Sequence, residues 1–144
     1  MGQPDLKLPD MICFALYSAN HAMQRVYQPL LARLGLTYPQ FLVLMQLWTE
    51  DGQTVGELGR ALQLESNTVT PLLKRMEGLG LVSRARVAKD ERQVRVALTD
   101  KGRGLQAESD AIAACIFDAC GMAADELLAL RDQITGLRDR LRAV

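Results

Sequence analysis

Cys13 is the residue of this chain best placed to do covalent chemistry. It lies three residues after Asp10, which can cap the start of a helix. A helix N-terminus carries partial positive charge and unpaired N–H groups. A thiol held there spends more of its time as the thiolate, the form that attacks peroxides and disulfides. A lone cysteine in the run ICFAL also suits plain packing as a small apolar residue, and position alone does not decide between the two. The other cysteines, Cys115 and Cys120, form no zinc-type spacing with Cys13, and the single His21 completes none. No metal and no cofactor are expected.

A second set of residues has the chemistry to hold DNA. Asn67, Thr68, Thr70, Lys74 and Arg75 fall on one side of a helical stretch and can bond to bases or phosphates. Arg84 and Arg86 share a face of the strand that follows, and Asp90 and Arg92 sit in the tip Ala88 to Arg92. The chain is formally neutral, with 17 basic and 17 acidic residues. From Ser66 to Arg103, however, nine basic residues face four acidic ones, so this segment carries +5 and the remainder −5. Phosphate binding requires such a local patch, whatever the total. A non-specific architectural DNA protein fits a neutral total poorly.

These residues need a scaffold, and the stretch from Thr54 to Thr99 supplies one. Thr54 and Glu57 make a T-x-x-E capping box, so a helix starts at Val55, with Val55, Leu58 and Leu62 on one face. Gln63, Leu64 and Glu65 are the turn, and Ser66 can cap the second helix. Val69, Leu72, Leu73, Met76 and Leu79 give that helix a buried stripe, and Gly80 stops it. Pro71 removes one ladder bond near the helix start, where the loss is tolerated. Val94, Val96 and Leu98 then alternate with Gln93, Arg95 and Ala97, as in a hairpin strand. A hairpin alone reads as a solvated surface. Directly after a helix pair, it reads as the wing of a winged helix-turn-helix.

The fold class expected is therefore mainly α with a small β wing, in one domain of 144 residues. Asp10 starts a first helix that runs to about Leu34, with Ile12, Leu16, Ala19, Met23, Val26 and Leu30 at helical spacing and a bend at Pro29. Thr37 and Gln40 form a second capping box before a helix carrying Phe41, Leu42, Leu44, Met45, Leu47 and Trp48. Thr99 caps a long helix to about Cys120, Gly121 breaks it, and a last helix covers about Asp125 to Arg142. Its stripe is Leu127, Leu130, Ile134, Leu137 and Leu141. A winged domain at 37–99 does not need so much apolar helix for its own core. The surplus at 8–34 and 100–142 points to a dimerisation region built from both chain ends. A two-fold dimer presents two recognition helices to a palindromic operator, with half-sites about 34 Å or a multiple apart. No apolar run spans a membrane and the N-terminus lacks the apolar core of a signal peptide, so a cytoplasmic protein is expected. Structural disulfides are not expected there.

The whole chain resembles the MarR-type winged-helix repressors, and Asp90-Glu91-Arg92 is similar to that family's Asp-x-Arg wing motif. More narrowly, CFALYSA from Cys13, LTYPQF from Leu36 and TPLLKRMEGLGLV from Thr70 resemble the organic hydroperoxide regulators, the OhrR branch. The resemblance implies a repressor that senses organic hydroperoxides by oxidation of Cys13 and then releases its operator. It implies that Tyr27 and Tyr38 bond to the sulfur of Cys13 in the reduced, DNA-bound form; a phenolic O–H can donate to a thiolate. Phe14, Leu16 and Met23 would favour a greasy peroxide over hydrogen peroxide. Two-cysteine members carry a resolving cysteine late in the long C-terminal-side helix. Cys115 and Cys120 both lie there, and neither aligns cleanly with the family position. Cys120 is preferred, because a fraying helix end gives access; if both only pack, oxidised Cys13 reacts with a low-molecular-weight cellular thiol.

Two other functions compete. One is a MarR-type regulator switched by a reversibly bound small aromatic ligand. The other is an enzyme, a cysteine peroxidase. Against the enzyme, no arginine stands beside Cys13 in the sequence, and the basic patch would have no purpose.

Overall fold

The computed structural model describes residues 5–87 and 90–144. Ten helices and strands follow in order: α1 (Ile12–Ala32), α2 (Tyr38–Thr49), β1 (Gln53–Thr54), α3 (Val55–Leu62), α4 (Ser66–Gly78), β2 (Val82–Val87), β3 (Asp90–Leu98), α5 (Asp100–Gly104), α6 (Ser109–Cys120) and α7 (Ala124–Arg142). Single 3-10 turns lie at Leu8–Asp10 and Leu105–Glu108. The architecture is the expected one, mainly α with a small antiparallel sheet.

Both capping boxes form. Gln40 N–H donates to Thr37 Oγ1 at 3.4 Å, and Thr37 N–H to Gln40 Oε1 at 3.0 Å. Glu57 N–H donates to Thr54 Oγ1 at 3.2 Å, and Thr54 N–H to Glu57 Oε2 at 3.4 Å. Each box satisfies two N–H groups that a helix start leaves open. Gly80 takes φ +74 and closes α4, with Leu81 N–H bonded back to the Met76 carbonyl at 3.0 Å.

Two expected caps are corrected. Asp10 does not cap α1. It sits in the Leu8–Asp10 turn, and its carboxylate accepts from Lys7 N–H at 3.2 Å, so Met11 takes the N-cap without a side-chain bond. Ser66 is the first residue of α4 rather than its cap. Thr68 and Val69 N–H both reach the Glu65 carbonyl at 3.0 Å, which starts the helix one residue earlier.

The core belongs to the winged segment. Phe41, Val43, Leu44 and Leu47 of α2 meet Leu58 of α3, Val69, Leu72, Leu73 and Met76 of α4, and Val82, Val96 and Leu98 of the sheet. Leu79 falls outside it, exposed at the C-cap of α4. The sheet has strand order β1-β3-β2. The two-residue β1, absent from the sequence reading, pairs Gln53 with Val96 and Thr54 with Arg95. In the wing, Val82 faces Leu98 and Arg84 faces Val96, and the register shifts between Arg86 and Val87. β3 already begins at Asp90, so the tip is shorter than expected; Ala88, Lys89 and the side chains of Asp90 and Glu91 lie outside the described residues.

Thr99 caps as expected, accepting from Gly102 N–H at 3.1 Å, but the helix it starts is not continuous. α5 ends at Gly104, the chain tightens into the 3-10 turn, and α6 begins at Ser109. α5 is held tightly to the winged core. Trp48 Nε1 donates to the Gly102 carbonyl at 2.9 Å, and a Cβ on Gly102 would stand 2.2 Å from the Leu81 carbonyl oxygen. Only glycine fits so close to another backbone.

The long helices look different from the core. Leu31 is the one fully buried residue of α1, Ile112 of α6, and α7 has none. Ile12, Phe117, Leu128, Leu130, Ile134 and Leu141 are exposed. Leu16, Met23, Val26, Leu127 and Leu137 are half-buried. Apolar surface left open on this scale marks an interaction face. No helix among the described residues is long and apolar enough to cross a membrane.

Candidate nucleic-acid interface and redox site

The face of α4 away from the core carries the residues expected to read DNA. Asn67, Thr68, Lys74 and Arg75 are exposed and Thr70 is half-buried. α3 and the left-handed Gln63 set the angle at which α4 leaves the turn. Between the start of α3, the start of α4 and the wing lies an open cleft of about 500 Å³, bordered by Arg60, Ser66, Thr70, Arg84, Arg92 and Arg95. The structure thus brings Thr70, Arg84 and Arg92 together, while Lys74 and Arg75 stand farther along α4. Arg86 is exposed on β2 opposite Val94.

Arg84 does more than present charge. Its guanidinium meets Glu77 Oε1 at 3.2 Å, and its backbone N–H donates to Glu77 Oε2 at 2.9 Å. The pair fastens the wing to the recognition helix. Arg60 and Arg95, which the sequence alone does not place at DNA, line the same cleft. Arg95 donates from Nη1 to the Gly52 carbonyl, which fixes its reach beside β1. Arg95 was visible in the sequence on the alternate face of the wing. Arg60 was visible three residues after Glu57. Neither could be placed at the cleft without knowing how α3 packs against β3.

The expected redox residues occupy two places. Cys13 is the second residue of α1 and exposed, so it stays in the first turn although Asp10 does not cap it. Tyr27 and Tyr38 lie at the other end of α1, with ring centroids 4.8 Å apart. Tyr27 also meets Phe41 at 6.1 Å, and Phe41 meets Trp48 edge-on at 6.0 Å. Both tyrosines are half-buried. Burial raises the pKa of each; for Tyr27 the neighbouring Tyr38 and Cys120 add to it. Both phenols therefore keep their protons well above neutral pH and remain hydrogen-bond donors.

The same neighbourhood separates the two later cysteines. Cys120 stands close enough to Tyr27 to act on its ionisation, and lines a shallow groove with Ala19, Met23 and Val26 of α1. Cys115 is exposed and borders a different hollow, with Leu30, Arg33 and Glu108.

The family model for transcriptional regulators of the SarA/Rot type matches residues 25–108. The chain belongs to this family of MarR-like winged-helix regulators. It is 51% identical over 136 residues to the HTH-type transcriptional regulator TtmR of Methylorubrum extorquens (strain PA1), covering 94% of this chain and 70% of TtmR. It is 38% identical over 136 residues to the organic hydroperoxide resistance transcriptional regulator of Bacillus subtilis (strain 168), covering 94% and 92%. That likeness supports the OhrR branch. Among solved structures, AbfR of Staphylococcus epidermidis superposes with a TM-score of 0.78 at 35% identity over 95% of each chain. AbfR has also been solved reduced and overoxidised on DNA, and in a disulfide form.

As a DNA-binding transcriptional regulator, this SarA/Rot-family protein should use its wing at the duplex. We expect Arg92→Ala to weaken binding by about 1–3 kcal/mol, read by fluorescence anisotropy on a duplex that the wild-type protein enriches from a random library. Unchanged affinity removes Arg92 from the interface. Lys74→Ala should instead flatten the salt dependence by about one unit of slope, as loss of one phosphate contact does.

Proposed function

We propose that this regulator is a homodimeric repressor that holds a palindromic operator while Cys13 is reduced and releases it when an organic hydroperoxide oxidises Cys13. One observation carries the reading. Cys13 is exposed in the first turn of α1, while two half-buried phenols pair towards the far end of that helix and Cys120 lies along its middle, near Tyr27. Each half of a thiol site is built in one protomer, and a two-fold arrangement of α1 supplies the other. The exposed apolar residues of α6 and α7 are the surface such a dimer covers.

The Cys13 thiolate attacks the terminal oxygen of R–O–OH. The O–O bond breaks, the sulfur keeps the hydroxyl as a sulfenic acid, and the alkoxide takes a proton to leave as the alcohol. The added oxygen enlarges the group and changes its bonding, so it no longer fits against Tyr27 of the partner subunit and Tyr38 of the partner subunit. A second thiol then condenses with the sulfenic acid, giving a disulfide and water. Its place near Tyr27 supports Cys120 as the resolving residue in preference to Cys115; without either, a low-molecular-weight thiol serves. The likeness to the Bacillus subtilis organic hydroperoxide regulator supports this reading over reversible ligand binding.

The deciding experiment is binding of the enriched duplex with and without an organic hydroperoxide, with mass spectrometry of Cys13. Release without a mass change at Cys13 overturns the proposal. A non-reducing gel tests the second step. Peroxide-treated wild type should run as a covalent dimer, and Cys120→Ser should abolish that band and let Cys13 pass to the sulfinic acid. If Cys115→Ser abolishes it instead, Cys120 is not the resolving residue.

A further inference from the structure

The end of α7 reaches the helix-turn-helix. Arg142 Nη2 donates to the Gln63 backbone carbonyl at 3.0 Å, across 79 residues of sequence. Gln63 is the C-cap of α3 and opens the turn into α4. It holds φ +61, the one positive φ outside glycine among the described residues. That region is costly for a side chain larger than hydrogen. The turn closes tightly around it: Leu64 N–H bonds to the Gly59 carbonyl at 2.9 Å, and a Cβ on Gly59 would meet the Leu64 carbonyl oxygen at 2.9 Å. The Gln63 carbonyl also lies at the C-terminal end of α3, where a helix gathers partial negative charge and a cation is favourable.

The contact is made by a reaching side chain, across an open hollow of about 770 Å³ bordered by Arg60, Gln63, Glu65 and Arg142. Arg131 and Arg138 of the same helix pair with the next residue along it, Asp132 and Asp139. Arg142 instead binds the segment that sets the direction of the recognition helix. α7 buries no side chain fully, so packing does little to fix its far end.

We propose that Arg142 is a positioning residue for DNA binding, holding the left-handed turn at Gln63 and thereby the angle of α4. The test uses full-length protein in reductant, so it does not depend on peroxide sensing, and the enriched duplex as probe. Arg142→Ala is expected to stay folded and dimeric and to bind about five-fold more weakly, the worth of one such bond. Its slope of log Kd against log salt should match wild type, because no phosphate contact is lost. Arg142→Lys, whose ammonium can also donate to the carbonyl, should recover most of the affinity. Unchanged affinity in Arg142→Ala overturns the proposal. So does a slope smaller by about one, which makes Arg142 a phosphate contact. A Lys variant as weak as the Ala variant overturns it too, as does loss of the dimer in sedimentation.

Discussion

Cys13→Ser is expected to bind the enriched duplex as wild type does and to lose all release by organic hydroperoxide. The side chain is exposed in the first turn of α1 and touches none of the core, so replacing sulfur by oxygen should change stability by no more than about 0.5 kcal/mol. It is also remote from α4 and the wing in the sequence and in the order of elements. What the substitution removes is the nucleophile: a serine hydroxyl does not travel along the cysteine oxidation ladder. The measurement is anisotropy of the DNA complex during titration with an organic hydroperoxide. Wild type should release completely, and the variant should not respond at any dose that spares the DNA. A variant that still releases means that the peroxide acts elsewhere or that a bound molecule works the switch. Measuring Cys115→Ser and Cys120→Ser alongside separates these outcomes, since both should still release.

What could be read from residues alone followed the range of the interactions. Thr37 with Gln40 and Thr54 with Glu57 are complete within four residues, so both boxes were legible and both form. The wing was legible because Val94, Val96 and Leu98 alternate with Gln93, Arg95 and Ala97, and Val96 and Leu98 are buried. Asp10 and Ser66 do not cap the helices that their types suggest, because capping residues serve whichever N–H comes within reach. Asp10 serves the turn before α1, and the chain leaves Glu65 already helical. The close seat of Gly102 and the strand β1 depend on partners far away in sequence, Leu81 and Trp48 for the one and β3 for the other. The site follows the same rule. Thr70 and Arg92 were nameable from the helix face and the wing motif, but the Arg84–Glu77 pair and the entry of Arg60 into the cleft are tertiary facts. Tyr27 and Tyr38 were nameable through a resemblance; that their rings meet depends on how α1 crosses α2.

A heterodimer carrying Cys13→Ser in one protomer and Tyr27→Phe with Tyr38→Phe in its partner is expected to keep one site of near-wild-type reactivity. Cys13 and Tyr27 are fourteen residues apart in the single helix α1, so roughly 21 Å separates them along its axis. Tyr38 comes no closer, since its ring lies against that of Tyr27. No side chain bridges such a gap, so a thiol that meets these phenols meets those of the other protomer. Antiparallel first helices around a two-fold axis create that meeting twice. In the mixed dimer the remaining Cys13 sits in the protomer whose own tyrosines are gone, and it faces the intact pair across the interface. Each phenol that donates to a thiolate is worth about 1.5–3 kcal/mol, so a Cys13 without them should oxidise about tenfold more slowly or worse. The rate of sulfenic acid formation, followed by mass spectrometry after mixing with an organic hydroperoxide, gives the answer. The mixed dimer should match wild type per remaining site, and the homodimer with Tyr27→Phe and Tyr38→Phe should lag. If the mixed dimer is as slow as that homodimer, the phenols act on the thiol of their own chain. α1 would then have to break between Cys13 and Tyr27 to bring them together.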